Sequence, residues 1–213
     1  MLTSKMLTSL SSRDHMSILP ESPSPRDALT IKRIVRVNHA GEYGAIRIYS
    51  AQIAVAKRLT PDIVPALQQM LTDEIDHCAR FYAAMPARGS RPCRIMKLWS
   101  LGGSLLGLMT ALMGRRAIWV CTAAVEETVH RHLDEQMHFL QGRDADLHAV
   151  INSIREEELA HLHHAEMQLG SEARHSLQTM LQSAIAMVTE ILIWLSTWGD
   201  STRMTRALRQ ARS

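Results

Sequence analysis

From Ile31 onward, apolar residues recur at three- and four-residue intervals and no stretch alternates with period two, which predicts a nearly all-helical domain. Four long helices are expected. The first runs from Ile31 to Leu59. The second opens at Thr60-Pro61-Asp62, a cap residue followed by proline at the first helical position, and stops before Pro86. The third runs from Ala117 to Gln141 and the fourth from Asp146 to Leu169; Gly142 and Gly170, which follow them, suit the left-handed conformation that ends a helix. A fifth helix, Leu177 to Trp198, is the most apolar. Between the second and third helices, Leu98 to Gly114 runs 17 residues without a charge, with Arg91, Arg94 and Lys97 before it and Arg115 and Arg116 after. A bilayer span takes about 20 apolar residues, and Gly102, Gly103, Gly107 and Gly114 lower helix propensity. The 95–114 insertion therefore reads as an interfacial or re-entrant piece whose flanking cations reach lipid headgroups.

The 213 residues suffice for one domain, placed at 31–198 and including that insertion and the 177–198 helix. Residues 1–30, rich in Ser and Pro, read as a flexible leader, and 199–213 as a basic tail carrying Arg203, Arg206, Arg209 and Arg212. That tail accounts for the net charge of +3, so the rest is balanced and attracts no polyanion. Nine aromatic residues are too few for a base-stacking platform, which excludes nucleic acid as a partner. Cys78, Cys93 and Cys121 form no Cys-x-x-Cys, which removes a disulfide framework and a zinc ribbon and fits a reducing compartment.

Candidate chemistry comes from glutamates standing where an amphipathic helix places leucines. Glu42 sits among Val35, Ala45, Ile46, Tyr49 and Ile53 on the first helix, and Glu74 among Leu67, Met70, Leu71 and Phe81 on the second. Glu126 sits among Trp119, Ala123, Val129 and Leu133, and Glu158 among Ile151, Ile154, Leu162 and Ala165. An ionised carboxylate buried without a partner costs several kcal/mol, roughly, and no Lys or Arg repeats on these stripes. Four carboxylates and two divalent cations balance, with neutral imidazoles at His77 and His161 as further donors; carboxylate with imidazole suits iron or manganese.

Glu-x-x-His puts both side chains on one helical face, but the chain contains five such pairs. Glu127 with His130, Glu135 with His138 and Glu172 with His175 lie on mixed polar stripes and are set aside as solvated faces. Glu74–His77 and Glu158–His161 differ, because Glu42 and Glu126, Glu74 and Glu158, and His77 and His161 are each separated by 84 positions. One register thus relates all six, as a two-fold pseudo-symmetric site built from two helix pairs requires. The pattern resembles the ferritin-like di-iron carboxylate bundles. His39, His132, His163 and His164 read as solvent-facing or supporting groups, His130 as a supporting donor, and Cys78 and the methionines as core filler.

Asn38-His39-Ala40-Gly41-Glu42-Tyr43-Gly44-Ala45 with Ile48-Tyr49 resembles the first motif of the demethoxyubiquinone hydroxylases. Asp73-Glu74-Ile75-Asp76-His77, Cys121-Thr122-Ala123-Ala124-Val125-Glu126-Glu127 and Glu156-Glu157-Glu158-Leu159-Ala160-His161 resemble the other three, in order, across residues 31 to 198. The resemblance implies an all-α, ferritin-like four-helix bundle with additional apolar, membrane-facing helices. It also implies two irons per chain at Glu42, Glu74, His77, Glu126, Glu158 and His161. The activity implied is ring hydroxylation of a polyprenyl demethoxy-quinol in the penultimate step of ubiquinone synthesis, consuming dioxygen, with NADH as reductant acting without a Rossmann domain. Expected partners are the quinol, a membrane surface, other ubiquinone-synthesis proteins and a second copy of the chain. The expected location is peripheral, on the inner face of a bacterial cell membrane or on the mitochondrial inner membrane. His132-Leu133 stands where the family has His-Tyr.

Three other readings are open from sequence. A ferritin-like iron store or rubrerythrin-like peroxidase shares the ligands but should lack the uncharged insertion. A transfer-RNA hydroxylase would need a basic face. A metal-free membrane adaptor of a quinone-synthesis complex would need no ligands at all.

Overall fold

The computed structural model describes residues 23–170 and 176–212. The leader up to residue 22, and Glu172 and His175 of one rejected pair, lie outside the described residues. Seven helices form, with no strand among the described residues: α1 (Pro25–Leu59), α2 (Val64–Ala84), α3 (Met96–Leu112), α4 (Arg115–Leu140), α5 (Ala145–Leu169), α6 (Ser176–Thr197) and α7 (Asp200–Arg212).

Their limits follow local chemistry. Ser24 caps α1, its hydroxyl accepting from the Asp27 N–H at 3.1 Å, with Pro25 at the first helical position. Residues 25–30, expected in the leader, are therefore helical. Thr60 makes no side-chain cap to α2; a 3-10 turn, Pro61–Ile63, leads into it instead. Asp144 caps α5 by accepting from the Leu147 N–H at 3.0 Å, and Gly142 and Gly170 take the positive φ expected of them, 73° and 65°.

α1, α2, α4 and α5 form the bundle. One core cluster joins Ile34, Val35, Phe81, Leu133, Leu147, Ile151 and Ile154, and a second joins Tyr49, Ile53, Leu67, Met70, Trp119 and Ala165. Each fully buried Leu or Ile contributes about 1.5–3 kcal/mol, so the two clusters clamp the carboxylate-bearing stretch from both ends.

The 95–114 insertion is more regular than its glycines suggest. α3 lies along α1, and two of those glycines are its contact surface: a Cβ on Gly103 would meet the Gly44 carbonyl oxygen at 2.4 Å, and one on Gly107 that of Ile48 at 2.3 Å. The close approach of two backbones outweighs the propensity cost of glycine. The opposite face exposes Leu98, Leu101, Leu105, Leu108, Met109 and Leu112. α6 packs on α4 and α1 and likewise exposes Met187, Val188, Ile191, Trp194 and Leu195. Among the described residues, one helix is long and apolar enough to cross a membrane, at Thr179–Thr197, with mean hydropathy 1.4. These outward faces form an apolar surface at one side of the bundle.

The expected basic tail folds as well. α7 docks on the bundle through Met204 and Asp200, both 1% exposed. Asp200 accepts from Arg26, from Arg33 at 2.7 Å and from the Thr30 hydroxyl at 3.3 Å, and Arg203 donates to Asp27 at 2.6 Å. Part of the tail's charge thus serves a fastening between the chain's two ends.

Candidate metal centre

The bundle brings all six sequence-designated residues into its interior, none more than 7% exposed. Helical spacing does this locally: Glu74 and His77, and Glu158 and His161, are each one turn apart and point the same way. Two overlapping donor sets result, Glu42, Glu74, His77 and Glu158 in one, and Glu74, Glu126, Glu158 and His161 in the other. Within each set the donor atoms lie within 4.8 Å of one another. Glu74 and Glu158 belong to both and so stand where bridging carboxylates would, while Glu42 with His77, and Glu126 with His161, face opposite sides.

Each imidazole turns Nδ1 inward. His77 Nδ1 is 3.1 Å from Glu158, and His161 Nδ1 is 3.4 Å from Glu158 and 3.5 Å from Glu74. Their outer nitrogens meet carboxylates, His77 Nε2 with Glu157 at 3.0 Å and His161 Nε2 with Asp73 at 3.1 Å. A carboxylate behind an imidazole fixes its tautomer and leaves the inner nitrogen as a donor. Asp73 and Glu157 carry no role in the sequence reading, although they too are separated by 84 positions, a signal sufficient to find them. Tyr49, noticed only on the Glu42 stripe, donates its hydroxyl to Glu126 at 2.8 Å. Its mate in that register is Leu133, which has no hydroxyl to offer Glu42.

The electrostatics favour a cationic occupant. Among the described residues, the polar neighbours of the four glutamates are these imidazoles, the Tyr49 hydroxyl and one another, with no Lys or Arg. Both Glu74 oxygens, one Glu158 oxygen and His161 Nδ1 are buried without a hydrogen bond. Burial, joined by the charges of Glu158 and its neighbours, pushes Glu42 and Glu126 well above the ordinary carboxylate range and Glu74 up to about 8. Against burial, the two imidazoles beside it, His77 by a hydrogen bond and His161 by its charge at 3.4 Å, hold Glu158 ionised, and the carboxylates raise His77 to about 9 and His161 to about 12. Protons thus supply the positive charge that divalent cations would otherwise bring. Unpaired buried oxygens, inward imidazole nitrogens and no competing cation fit a pair of divalent metals.

Histidines outside this set separate in burial. His163 is exposed, and His130 and His164 are half-buried, His164 edge-on to Trp119. His39 is buried against the Tyr82 ring. Of the rejected pairs, Glu127 is exposed as expected, but Glu135 is not on a solvated face: it is 4% exposed, 3.1 Å from His132, whose other nitrogen is 3.0 Å from Glu190 on α6. Glu190 of α6, which closes over His132, is invisible to a wheel drawn for α4 alone.

A cavity of about 310 Å³ reaches the carboxylates from the side covered by α3 and α6. Glu42, Glu74, Glu126 and Glu158 line its inner end, and Ile48, Trp99, Leu106, Val125, Leu181 and Ile185 are among its apolar walls. An apolar cleft ending on polar donors has the form of a small-molecule site.

The family model described as Ubiquinone biosynthesis protein COQ7 matches residues 29–196. A Rhodospirillum rubrum protein named 3-demethoxyubiquinol 3-hydroxylase is 37% identical over 179 residues, covering 84% of this chain and 82% of that protein. Bos taurus and Rattus norvegicus proteins named NADPH-dependent 3-demethoxyubiquinone 3-hydroxylase, mitochondrial, are 38% and 42% identical. The bovine match covers 78% of this chain and 76% of that protein; the rat match covers 62% of this chain and 61%, about three fifths, of that protein. With 168 consecutive residues matched and the buried carboxylate–imidazole constellation in place, this chain belongs to the COQ7 family of ubiquinone biosynthesis proteins.

Proposed function

We propose that the chain is a di-iron monooxygenase that hydroxylates the ring of a polyprenyl demethoxy-quinol with dioxygen, the activity in the names of its relatives. The observation that carries the reading is the pair of donor sets sharing Glu74 and Glu158 at the blind end of an apolar cavity. Two ferrous ions held there, one by Glu42 and His77 and the other by Glu126 and His161, would supply the reducing power and open positions that activate dioxygen. The residues do the rest. Glu157 and Asp73 orient His77 and His161, Tyr49 holds Glu126, and the walls at Ile48, Leu106, Val125 and Ile185 exclude water from the reacting ring. Overall, a ring C–H and dioxygen, with two electrons and two protons, become a ring C–OH and water.

The electrons come from a reduced nicotinamide, NADH in the sequence reading and NADPH in the names of the mitochondrial relatives. The outward leucines of α3 and the outer face of α6 seat the enzyme on a bilayer, so an isoprenoid tail remains in lipid while its head group enters between them. The location we propose is peripheral, on the inner face of a bacterial cell membrane, or on the mitochondrial inner membrane in a eukaryote. An iron store is the poorer fit, since ions and water gain nothing from an apolar access chamber.

The test is oxygen tracing. Protein reconstituted with ferrous iron, given a short-chain demethoxy-quinol, a reductant and 18O-labelled dioxygen, is expected to bind about two irons per chain and to yield a ring-hydroxylated product carrying one labelled oxygen. Iron uptake with unlabelled or unchanged quinol would overturn it.

A further inference from the structure

The cavity wall contains a polar pair that the chemistry above leaves unused. Apart from the four carboxylates and the Trp99 indole, whose N–H is buried without a partner, its polar side chains are Asn38, His132, Gln136 and Thr189. Two of these are committed: His132 meets Glu135 and Glu190 through its two ring nitrogens, and the Thr189 hydroxyl donates to the Ile185 carbonyl at 3.0 Å. Asn38 and Gln136 face each other across α1 and α4 in a reciprocal pair, Asn38 Nδ2 donating to Gln136 Oε1 at 2.7 Å and Gln136 Nε2 donating to Asn38 Oδ1 at 3.0 Å. The pairing fixes the two amides relative to each other and uses one N–H and one lone pair of each. One N–H and one oxygen lone pair per amide remain.

Their position is as telling as their chemistry. Asn38 precedes Glu42 by one turn of α1, about 6 Å along the axis, roughly the breadth of a substituted aromatic ring. Gln136 reaches the same level from α4, where it meets Asn38, and is 2% exposed. A planar ring edge-on to the carboxylates thus has its far edge level with the paired amides.

We propose that the Asn38–Gln136 pair anchors the oxygen substituents of the quinol ring and so fixes which ring carbon faces the metal pair. This rests on the hydroxylase reading for the identity of the ligand. The binding itself is separable from turnover. Each amide can donate to a quinone carbonyl or methoxy oxygen and accept from a quinol hydroxyl, so the same pair serves both redox forms of the ring. The residues are positioning groups, acting through the orientation of the substrate.

The experiment measures binding of a short-chain demethoxy-quinone to full-length, iron-loaded protein under anaerobic conditions, by quenching of tryptophan fluorescence, since Trp99 lines the cavity. An alkylated methylbenzene of the same outline but without ring oxygens is the control. Asn38→Leu and Gln136→Leu are each expected to weaken the quinone by about tenfold, the loss of a hydrogen-bonded group, while leaving the hydrocarbon unchanged. Asn38→Ser and Gln136→Met serve if either leucine variant fails to fold. In turnover, KM should rise more than kcat falls, and more of the reduced nicotinamide should be consumed without product. Equal quinone affinity in wild type and variants, or parallel losses for quinone and hydrocarbon, would overturn the anchor and leave the hydroxylase intact. Wild-type protein that binds the quinone through these amides yet never oxygenates it would overturn the hydroxylase and leave the anchor.

Discussion

At the end of the bundle Asp200 is 1% exposed, as are Glu74 and Glu158 at its middle, yet the chain treats the two places in opposite ways. Around Asp200 it supplies its own counter-charge, Arg26 and Arg33, with the Thr30 hydroxyl as a third partner. Around the glutamates, among the described residues, it supplies only imidazoles, a phenol and one another. Removing charge from water costs the same physics in both places: the clasp is complete in the polypeptide, and the glutamate cluster, on the proposed reading, is completed by metal from outside.

Glu158→Ala strikes that contrast hardest. It removes a donor shared by both sets and is expected to abolish binding of both metals and all hydroxylation, read as iron per chain and product mass; retention of one tight iron would mean that Glu158 does not bridge. Asp73→Asn is next. It leaves every direct donor in place and is expected to weaken metal binding by about 10–100-fold, measured by competition with a chelator.

Arg33→Leu tests the other side. It leaves Asp200 with Arg26 and Thr30, and a loss of about 2 kcal/mol in denaturant unfolding is expected, with metal content unchanged.

Acid and base separate the two kinds of site by a smaller margin. Asp144, half-buried beside Arg88, is held below its usual value by hydrogen bonds from that guanidinium and the Leu147 N–H, overcoming desolvation. Its contribution is present above the ordinary carboxyl pKa and lost as pH falls through the lowered value. Glu74 behaves in reverse: raised by burial and then by Glu158 to about 8, it keeps a proton in the metal-free fold that the unfolded chain releases near 4.5. That contribution is present at acid pH and lost as pH climbs from 4.5 to about 8. Metal-free protein should therefore melt roughly a few degrees lower at pH 8 than near pH 6, and metal binding near neutrality should release protons, measurable by calorimetry in buffers of different ionisation enthalpy. A metal-free melting point that rises over this range would contradict the protonated cluster.

Much of this was legible in the sequence because burial of a glutamate leaves a periodic trace. The stripes around Glu42, Glu74, Glu126 and Glu158, and the 84-residue register, specify a centre before any coordinates. What the register could not convey is the contacts made where it breaks: Arg80, whose mate is His164, donates to Glu157 at 2.9 Å, and among the described residues no comparable Arg holds Asp73. The surroundings of His77 and His161 are thereby unlike, a property of contacts between α2 and α5. Glu135 was misjudged because its partner His132 is held in turn by Glu190 of α6, distant in sequence. Gly103 and Gly107 suggested a weak helix because propensity counts the cost of a missing side chain but not the backbone contact that the absence allows. Arg203 looked like loose tail charge because its partner, Asp27, lies 176 positions away.

One last consequence concerns α1, whose 35 residues make a rod about 52 Å long. Along it stand, in order, the Thr30 contact to α7, Asn38, Glu42, the Gly44 seat of α3 and Tyr49. Inserting or deleting a single residue within it would swing everything downstream through about 100°, unseating several functions in one stroke. Length variation should therefore be admissible only in the connections, such as 85–95 and 141–144, while the rod itself behaves as a ruler that permits substitution but no change of count.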